Sequence, residues 1–149
     1  MKLAYKEALK AYKEDEVPVG AVIVKDNKVI ARAHNKKEKK NDSTSHAEIE
    51  CIRKASKKIG DWYLKDCELY VTLEPCVMCC GAIINARMKN VYYGARDLKA
   101  GALGGLFNLL EQKGFNHYFD YEYLENNECS KILKDYFREK RLNKSNIIK

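Results

Sequence analysis

The feature that most constrains this chain is a motif split between two places: His46-Ala47-Glu48, and Pro75-Cys76-Val77-Met78-Cys79 about thirty residues later. His46, Cys76 and Cys79 can hold a Zn²⁺ and leave a fourth position open to water, the arrangement of a catalytic rather than a structural zinc site. Glu48 then stands where a proton shuttle would. This spacing restricts the fold. Cys76 and Cys79 lie at a helix start and share a face, so both sulfurs can converge on one ion. The partial positive charge of a helix N-terminus favours thiolates there. His46 and Glu48, by contrast, point to different sides of a regular helix, and they can serve one ion only if it lies off the helix end. The chain must therefore bring two helix N-termini together, one led by Ser45 and the other by Pro75.

Each part of the motif also has a plainer reading. Ser45-His46-Ala47-Glu48 matches a capping box, with Ser45 as N-cap and Glu48 bound to backbone N–H. Alone, His46 reads as an ordinary polar histidine, and Cys76 with Cys79 as a redox pair or half of a structural zinc site. A structural site needs a fourth ligand, and the chain has neither a second Cys-x-x-Cys nor a His-x₃₋₅-His. Together, a histidine and glutamate at one helix start and a strand–Pro–Cys-x-x-Cys–helix with a strand before it agree on a catalytic zinc centre. Cys80 lies about 100° around the helix from Cys79 and should face the core.

The remaining elements follow from periodicity and turn chemistry. Residues 3–14 predict an amphipathic helix, broken at Glu16-Val17-Pro18-Val19-Gly20. Ala21–Val24 reads as a strand buried on both faces, Asp26-Asn27 as a hairpin turn, and Val29–Ala33 as the return strand. His34 to Thr44, rich in lysine, is expected to be a surface loop. A helix is expected over 45–59, with Ile49, Ile52, Ala55 and Ile59 as its packing stripe. Further expectations are a strand at Leu69–Leu73, a helix at Cys76–Arg87 and a strand at Val91–Gly94. Gly101, Gly104 and Gly105 read as a flexible loop, followed by a short helix near Leu106–Gln112 and a strand at His117–Tyr123. Asn127 is expected to cap a last helix from Glu128 to about Leu142, with a frayed tail over 143–149. Strands alternating with helices imply an α/β sandwich with helices on both faces of the sheet.

The 149 residues suit one domain, 1–149, with a genuine core, and 46% apolar content with ten tyrosines argues against disorder. No apolar run is long enough to span a membrane. Met1–Glu7 lacks the apolar centre of a secretory signal, so a cytoplasmic location is expected. In that setting Cys-x-x-Cys reads first as metal or redox, and Cys51, Cys67 and Cys129 read as small buried hydrophobes. The 28 Lys plus Arg against 21 Asp plus Glu leave a net charge of +7, which suits a polyanionic partner such as RNA or DNA.

His-x-Glu with Pro-Cys-x-x-Cys is the known signature of zinc-dependent nucleobase deaminases. With Leu73-Glu74, Glu16–Ala21 and Tyr93-Gly94-Ala95-Arg96-Asp97, the chain resembles the bacterial tRNA-specific adenosine deaminases from about residue 4 to residue 142. The resemblance implies a three-layer α/β/α sandwich of the cytidine deaminase type, with a five-stranded mixed sheet, in a homodimer with one Zn²⁺ per subunit. It implies conversion of the wobble adenosine of a tRNA anticodon loop to inosine. By the same resemblance His46, Cys76 and Cys79 are the zinc ligands, Glu48 the proton donor and Asn35 a contact to the target base. Asp97, Lys99 and Phe137 fall at RNA-contact positions. The residues alone read Asn35 as a turn residue and Phe137 equally as core. The basic groups of Lys36–Lys40 and Arg138, Lys140 and Arg141 near Phe137 would hold the RNA backbone. Two other functions share the motif. One is deamination of a free base or nucleotide of the guanine or cytidine type, which needs no basic surface. The other is a zinc-stabilised RNA-binding module or an inactive partner subunit, for which Glu48 would have no use.

Overall fold

The computed structural model describes residues 1–148, with side chains described through Ile147. The elements run α1 (Lys2–Lys13), β1 (Gly20–Lys25), β2 (Lys28–His34), α2 (Ala47–Ile59), β3 (Glu68–Val71), α3 (Val77–Asn85), β4 (Asn90–Tyr93), a 3₁₀ turn (Leu109–Glu111), β5 (Asp120–Tyr123) and α4 (Asn127–Ile148). The strands form one five-stranded sheet in the order β2-β1-β3-β4-β5. β1 is antiparallel to both neighbours, whereas β3, β4 and β5 are parallel, so the sheet is mixed. Asp26 and Asn27, both at positive φ (51° and 62°), close the β1–β2 hairpin, the backbone geometry that two-residue hairpins prefer.

Strand parity places the helices. A Cβ on Gly20 would lie 2.0 Å from the Ala4 carbonyl of α1, and one on Gly94 would lie 2.8 Å from Cys129 Sγ of α4. Both positions belong to the face that carries Thr72. Glycine at 20 is what lets α1 approach β1 so closely. The alternate residues, Ala21, Ile23, Leu69, Val71 and Val91, pack with Cys51, Ala55, Cys80 and Ile83 of α2 and α3. The result is a three-layer α/β/α sandwich. Ile23, Leu69 and Ile83 are fully buried, each contributing about 1.5–3 kcal/mol.

Several boundaries differ from expectation. α2 starts at Ala47 with His46, not Ser45, as its N-cap, and no side chain caps it. The capping box is therefore absent: the Ser45 hydroxyl donates instead to Asp42 (3.1 Å). Its inward stripe is Ala47, Cys51 and Ala55, while Ile49, Ile52 and Ile59 are half-buried. Small side chains occupy the close helix–sheet contact and the isoleucines flank it. The expected helix near 106–112 is a single 3₁₀ turn, capped by Asn108, and β5 begins at Asp120 rather than His117. Asn126, not Asn127, caps α4, accepting from the N–H of Glu128 (3.0 Å) and Cys129 (3.1 Å). α4 continues to Ile148, beyond the end expected near Leu142; residues 143–148 contain no glycine or proline to end a helix, and Lys149 of the expected tail lies outside the described residues. Among the described residues no helix is long and apolar enough to cross a membrane.

Candidate active site

α2 and α3 contact each other on one face of the sheet and aim their N-termini at one point. His46 is the N-cap of α2 (φ −70°, ψ 156°) and Cys76 the N-cap of α3 (φ −78°, ψ 177°), both in extended conformation. Each side chain therefore leaves its helix at the end, and Cys79 completes the group from the first turn of α3. His46 Nδ1 lies 3.6 Å from Cys76 Sγ and 3.6 Å from Cys79 Sγ. Among the described residues these three form the one His/Cys/acid cluster whose ligand atoms all lie within 4.8 Å of one another. A tetrahedral zinc bonded at about 2.3 Å to sulfur and about 2.05 Å to nitrogen holds such atoms about 3.6 Å apart, so the donor set fits. Cys80 stays outside it, buried with its Sγ 3.8 Å from the Pro75 carbonyl.

The electrostatics agree with that chemistry. Hydrogen bonding from the Cys79 thiol, and then from His46, draws the Cys76 thiol down to about 4. Donating to Cys76, and burial, push the Cys79 thiol up. A dication bound there would hold both sulfurs as thiolates, since metal ligation requires that form. The hydrogen bond to Cys76 raises the His46 imidazole above its usual range. Glu48 is only 4% exposed, and burial pushes its carboxyl up. Such a carboxyl is suited to carrying a proton at neutral pH.

His46, Glu48 and Cys76 open onto a cleft of about 750 Å³ that Asn35, Asp97, Lys99 and Phe137 also line. The donor set, Glu48, Asn35, Asp97, Lys99 and Phe137 thus meet at one cleft. Asn35 sits just past β2, 6% exposed, and its side-chain oxygen has no hydrogen-bond partner. A buried polar group left unpaired is uncommon, and this residue lines the cleft. The Asp97 carboxylate accepts from the N–H of Lys99 (3.0 Å) and Ala100 (3.1 Å), which shapes the turn that presents Lys99. Phe137 is 44% exposed, edge-on to Tyr136, and lies at the cleft wall rather than in the core.

The basic residues separate into two groups. Lys40 is clamped to buried Glu50 at 2.9 Å. Arg138 pairs with Asp135 (3.0 Å) and Lys140 with Asp15 (2.6 Å). Lys37, Arg96, Lys99, Lys134 and Arg141 line the cleft instead. Of these, Lys134 carries no signal in the sequence and Arg96 is read there only as part of the resemblance, because nothing local marks a cation as facing a cleft. The lysine-rich loop itself is anchored: the fully buried Glu16 carboxylate accepts from the N–H of Glu38 (2.7 Å) and Lys39 (3.2 Å). Glu74 was also missed as a functional residue. Its buried carboxylate accepts from the N–H of Asp97 (3.2 Å), Leu103 (3.0 Å) and Gly105 (2.9 Å). The Gly101–Gly105 stretch is therefore a pinned loop, not a flexible one. The available signal was a lone acid between a buried strand and a helix start.

Fold and site together define a deaminase of the cytidine deaminase superfamily, and the family model of the MafB19-like deaminases matches residues 1–141. The chain is 48% identical to the tRNA-specific adenosine deaminase of Agrobacterium fabrum over 95% of its length and 94% of that protein's. It is 46% identical to that of Bacillus subtilis over 97% of its length and 90% of that protein's. It is 42% identical to that of Aquifex aeolicus, with 96% and 95% covered. The chain belongs to the tRNA-specific adenosine deaminase family. Its backbone also matches, with a TM-score of 0.86 and 46% identity over 89% of this chain and 97% of the other, a structure from studies of A-to-I editing by tRNA:A34 deaminases at the wobble position. A guanine deaminase from Bacillus subtilis matches less closely, with a TM-score of 0.63 and 34% identity over 92% and 90% of the two chains.

Proposed function

We propose that this protein converts adenosine to inosine at the wobble position of a tRNA anticodon by zinc-dependent hydrolysis. The observation that carries the reading is buried Glu48 beside the His46–Cys76–Cys79 donor set, at the base of a cation-rimmed cleft. Sequence identity of 42–48% to proteins named for tRNA adenosine supports the choice of substrate.

His46, Cys76 and Cys79 would hold one Zn²⁺ per subunit, which when bound supplies a water acidified to a pKa of about 7. The net reaction adds water at C6 of the purine and releases ammonia. Two proton movements are needed, one onto the ring nitrogen beside the reacting carbon and one onto the departing amino nitrogen. Glu48 makes both: it takes the first proton from the attacking water and the second from the hydroxyl which that water leaves on C6. Asn35 orients the base by giving its unpaired side-chain oxygen to a donor on the substrate. Phe137 offers an aromatic face on which a neighbouring base can stack. Lys37, Lys99, Lys134 and Arg141 neutralise phosphates on either side of an unpaired loop nucleotide, which an anticodon loop presents without the cost of opening a duplex. Residues 1–149 act as one domain in this reading, in a cytoplasmic homodimer.

The test is to incubate purified protein with total tRNA and sequence the product for adenosine-to-inosine changes, with zinc measured by metal analysis. Inosine confined to wobble positions is expected. Ammonia release from free guanine or cytidine without change in tRNA would select the free-base deaminase. RNA binding with neither product would select a binding module or inactive subunit.

A further inference from the structure

The carboxylate of Glu74 lies just outside the chemistry and is tied to the loop that carries Asp97 and Lys99 along the cleft. It is 2% exposed, and among the described residues its partners are the backbone N–H groups of Asp97, Leu103 and Gly105. A buried carboxylate is costly unless it is hydrogen-bonded, and bonds to an ionised acceptor are stronger than neutral ones. The loop therefore has one arrangement in which that charge is satisfied. Its glycines fit the same arrangement. A Cβ on Gly101 would lie 2.1 Å from a Glu74 oxygen, and one on Gly105 would lie 2.1 Å from the Asp97 carbonyl. Glu74 also directly precedes Pro75-Cys76, and the loop adheres to that segment: Ala102 N–H donates to the Pro75 carbonyl (2.9 Å) and Gly101 bridges Cys76.

We propose that Glu74 is a positioning residue for substrate recognition: its carboxylate fixes the 97–105 loop against the Cys76 segment, so that Asp97 and Lys99 meet the RNA at a set distance from the reacting centre. This rests on the tRNA reading above. The residue touches no substrate. Its role is to remove in advance the ordering entropy that a glycine-containing loop would otherwise lose on binding. Loss of the carboxylate should therefore weaken RNA binding while leaving the proton chemistry of Glu48 in place.

The experiment uses the full chain with zinc. In a Glu48→Ala background, where turnover is too slow to consume the ligand during the measurement, the affinity for an anticodon stem-loop with adenosine at the wobble position is measured by fluorescence anisotropy, with and without Glu74→Gln. Affinity should fall at least about tenfold, the factor that corresponds to 1.4 kcal/mol of lost loop ordering, with zinc content unchanged. With Glu48 intact, Glu74→Gln should raise KM and leave kcat near the parent value. A purely structural role would instead lower zinc content and the active fraction without moving KM. Gly105→Ala displaces the same loop without altering any carboxylate or metal ligand. It should weaken binding similarly, and add nothing on top of Glu74→Gln. If Glu74→Gln fails to fold, Gly105→Ala decides: wild-type affinity in it overturns the inference. Equal affinity of the Glu74→Gln protein and its parent overturns the inference alone. A parent that binds no stem-loop, from a wild type that forms no inosine, overturns the tRNA reading and this inference with it.

Discussion

Asn35→Ala should separate substrate recognition from stability. In the free protein the Asn35 side-chain oxygen is buried without a partner, a situation that costs about 1–3 kcal/mol. Truncation relieves that cost and loses only a few methylene and amide contacts beside an open cleft. The two effects oppose each other, so net stability should change by no more than about 1 kcal/mol. For a chain of this length that is a Tm shift within about 2–4 °C. Binding behaves in the opposite way. The oxygen awaits a donor on the base, and without it that donor is buried unpaired in the complex, again at about 1–3 kcal/mol. On that basis kcat/KM for tRNA should fall about 5- to 150-fold. Asn35→Asp, which keeps the acceptor, should recover part of the loss. The assays are calorimetric or dye-monitored unfolding and single-turnover inosine formation on a wobble-adenosine stem-loop. A variant that melts much earlier and loses activity in proportion would refute the reasoning, because the side chain would then be holding the end of β2 in place.

Other outcomes follow from the same geometry. Glu48→Ala should keep zinc and fold but lose turnover by about 10²–10⁴-fold or more; near-wild-type inosine formation would remove Glu48 from its role. Affinity for the stem-loop should fall with salt. If Lys37, Lys99, Lys134 and Arg141 each neutralise one phosphate of a single-stranded loop, the slope of log K against log salt is about −3, and a flat dependence would rule out a polyanionic substrate. His34 bridges two acids at the α1 end: its Nδ1 lies 3.0 Å from Glu7 of α1 and its Nε2 2.9 Å from Glu14, the C-cap of that helix. Burial pushes Glu7 up, but hydrogen bonds from His34 and Lys10 outweigh it and hold the carboxyl below its usual range. The bond from His34 does the same for Glu14. A carboxyl lowered in the folded state contributes stability above its unfolded pKa of about 4.3, lost as pH falls through the folded value. Acid unfolding should therefore be shallower in His34→Gln, and identical pH–stability curves for the two proteins would count against this linkage.

The sequence by itself determined the donor set and the alternation of elements. The donor set, the acid and the two helix starts are local patterns, and the apolar run Ala21–Val24, the Asp26-Asn27 turn and the Cys-x-x-Cys spacing are read over a few neighbouring residues. Where geometry is deduced from that spacing, as in the meeting of two helix N-termini, it holds because His46 and Cys76 both sit as N-caps and so bring their donor atoms within 3.6 Å of each other. The helix cap was misread because Ser45 has a stronger local rival, Asp42, which only the folded loop brings to it. The inward face of α2 is legible only in part: Ala55, Ile52 and Ile59 do pack on the core, but periodicity marks where large apolar residues recur, while the close contact with the sheet selects small ones. What only the tertiary structure decided is long-range and electrostatic. It determined which cations are clamped by acids and which face the cleft, that Asn35 is left with an unpaired oxygen, and that Glu74 organises a loop more than twenty residues away in the chain. Those facts depend on which charges are removed from water together. That is a property of packing, and no spacing along the chain encodes it.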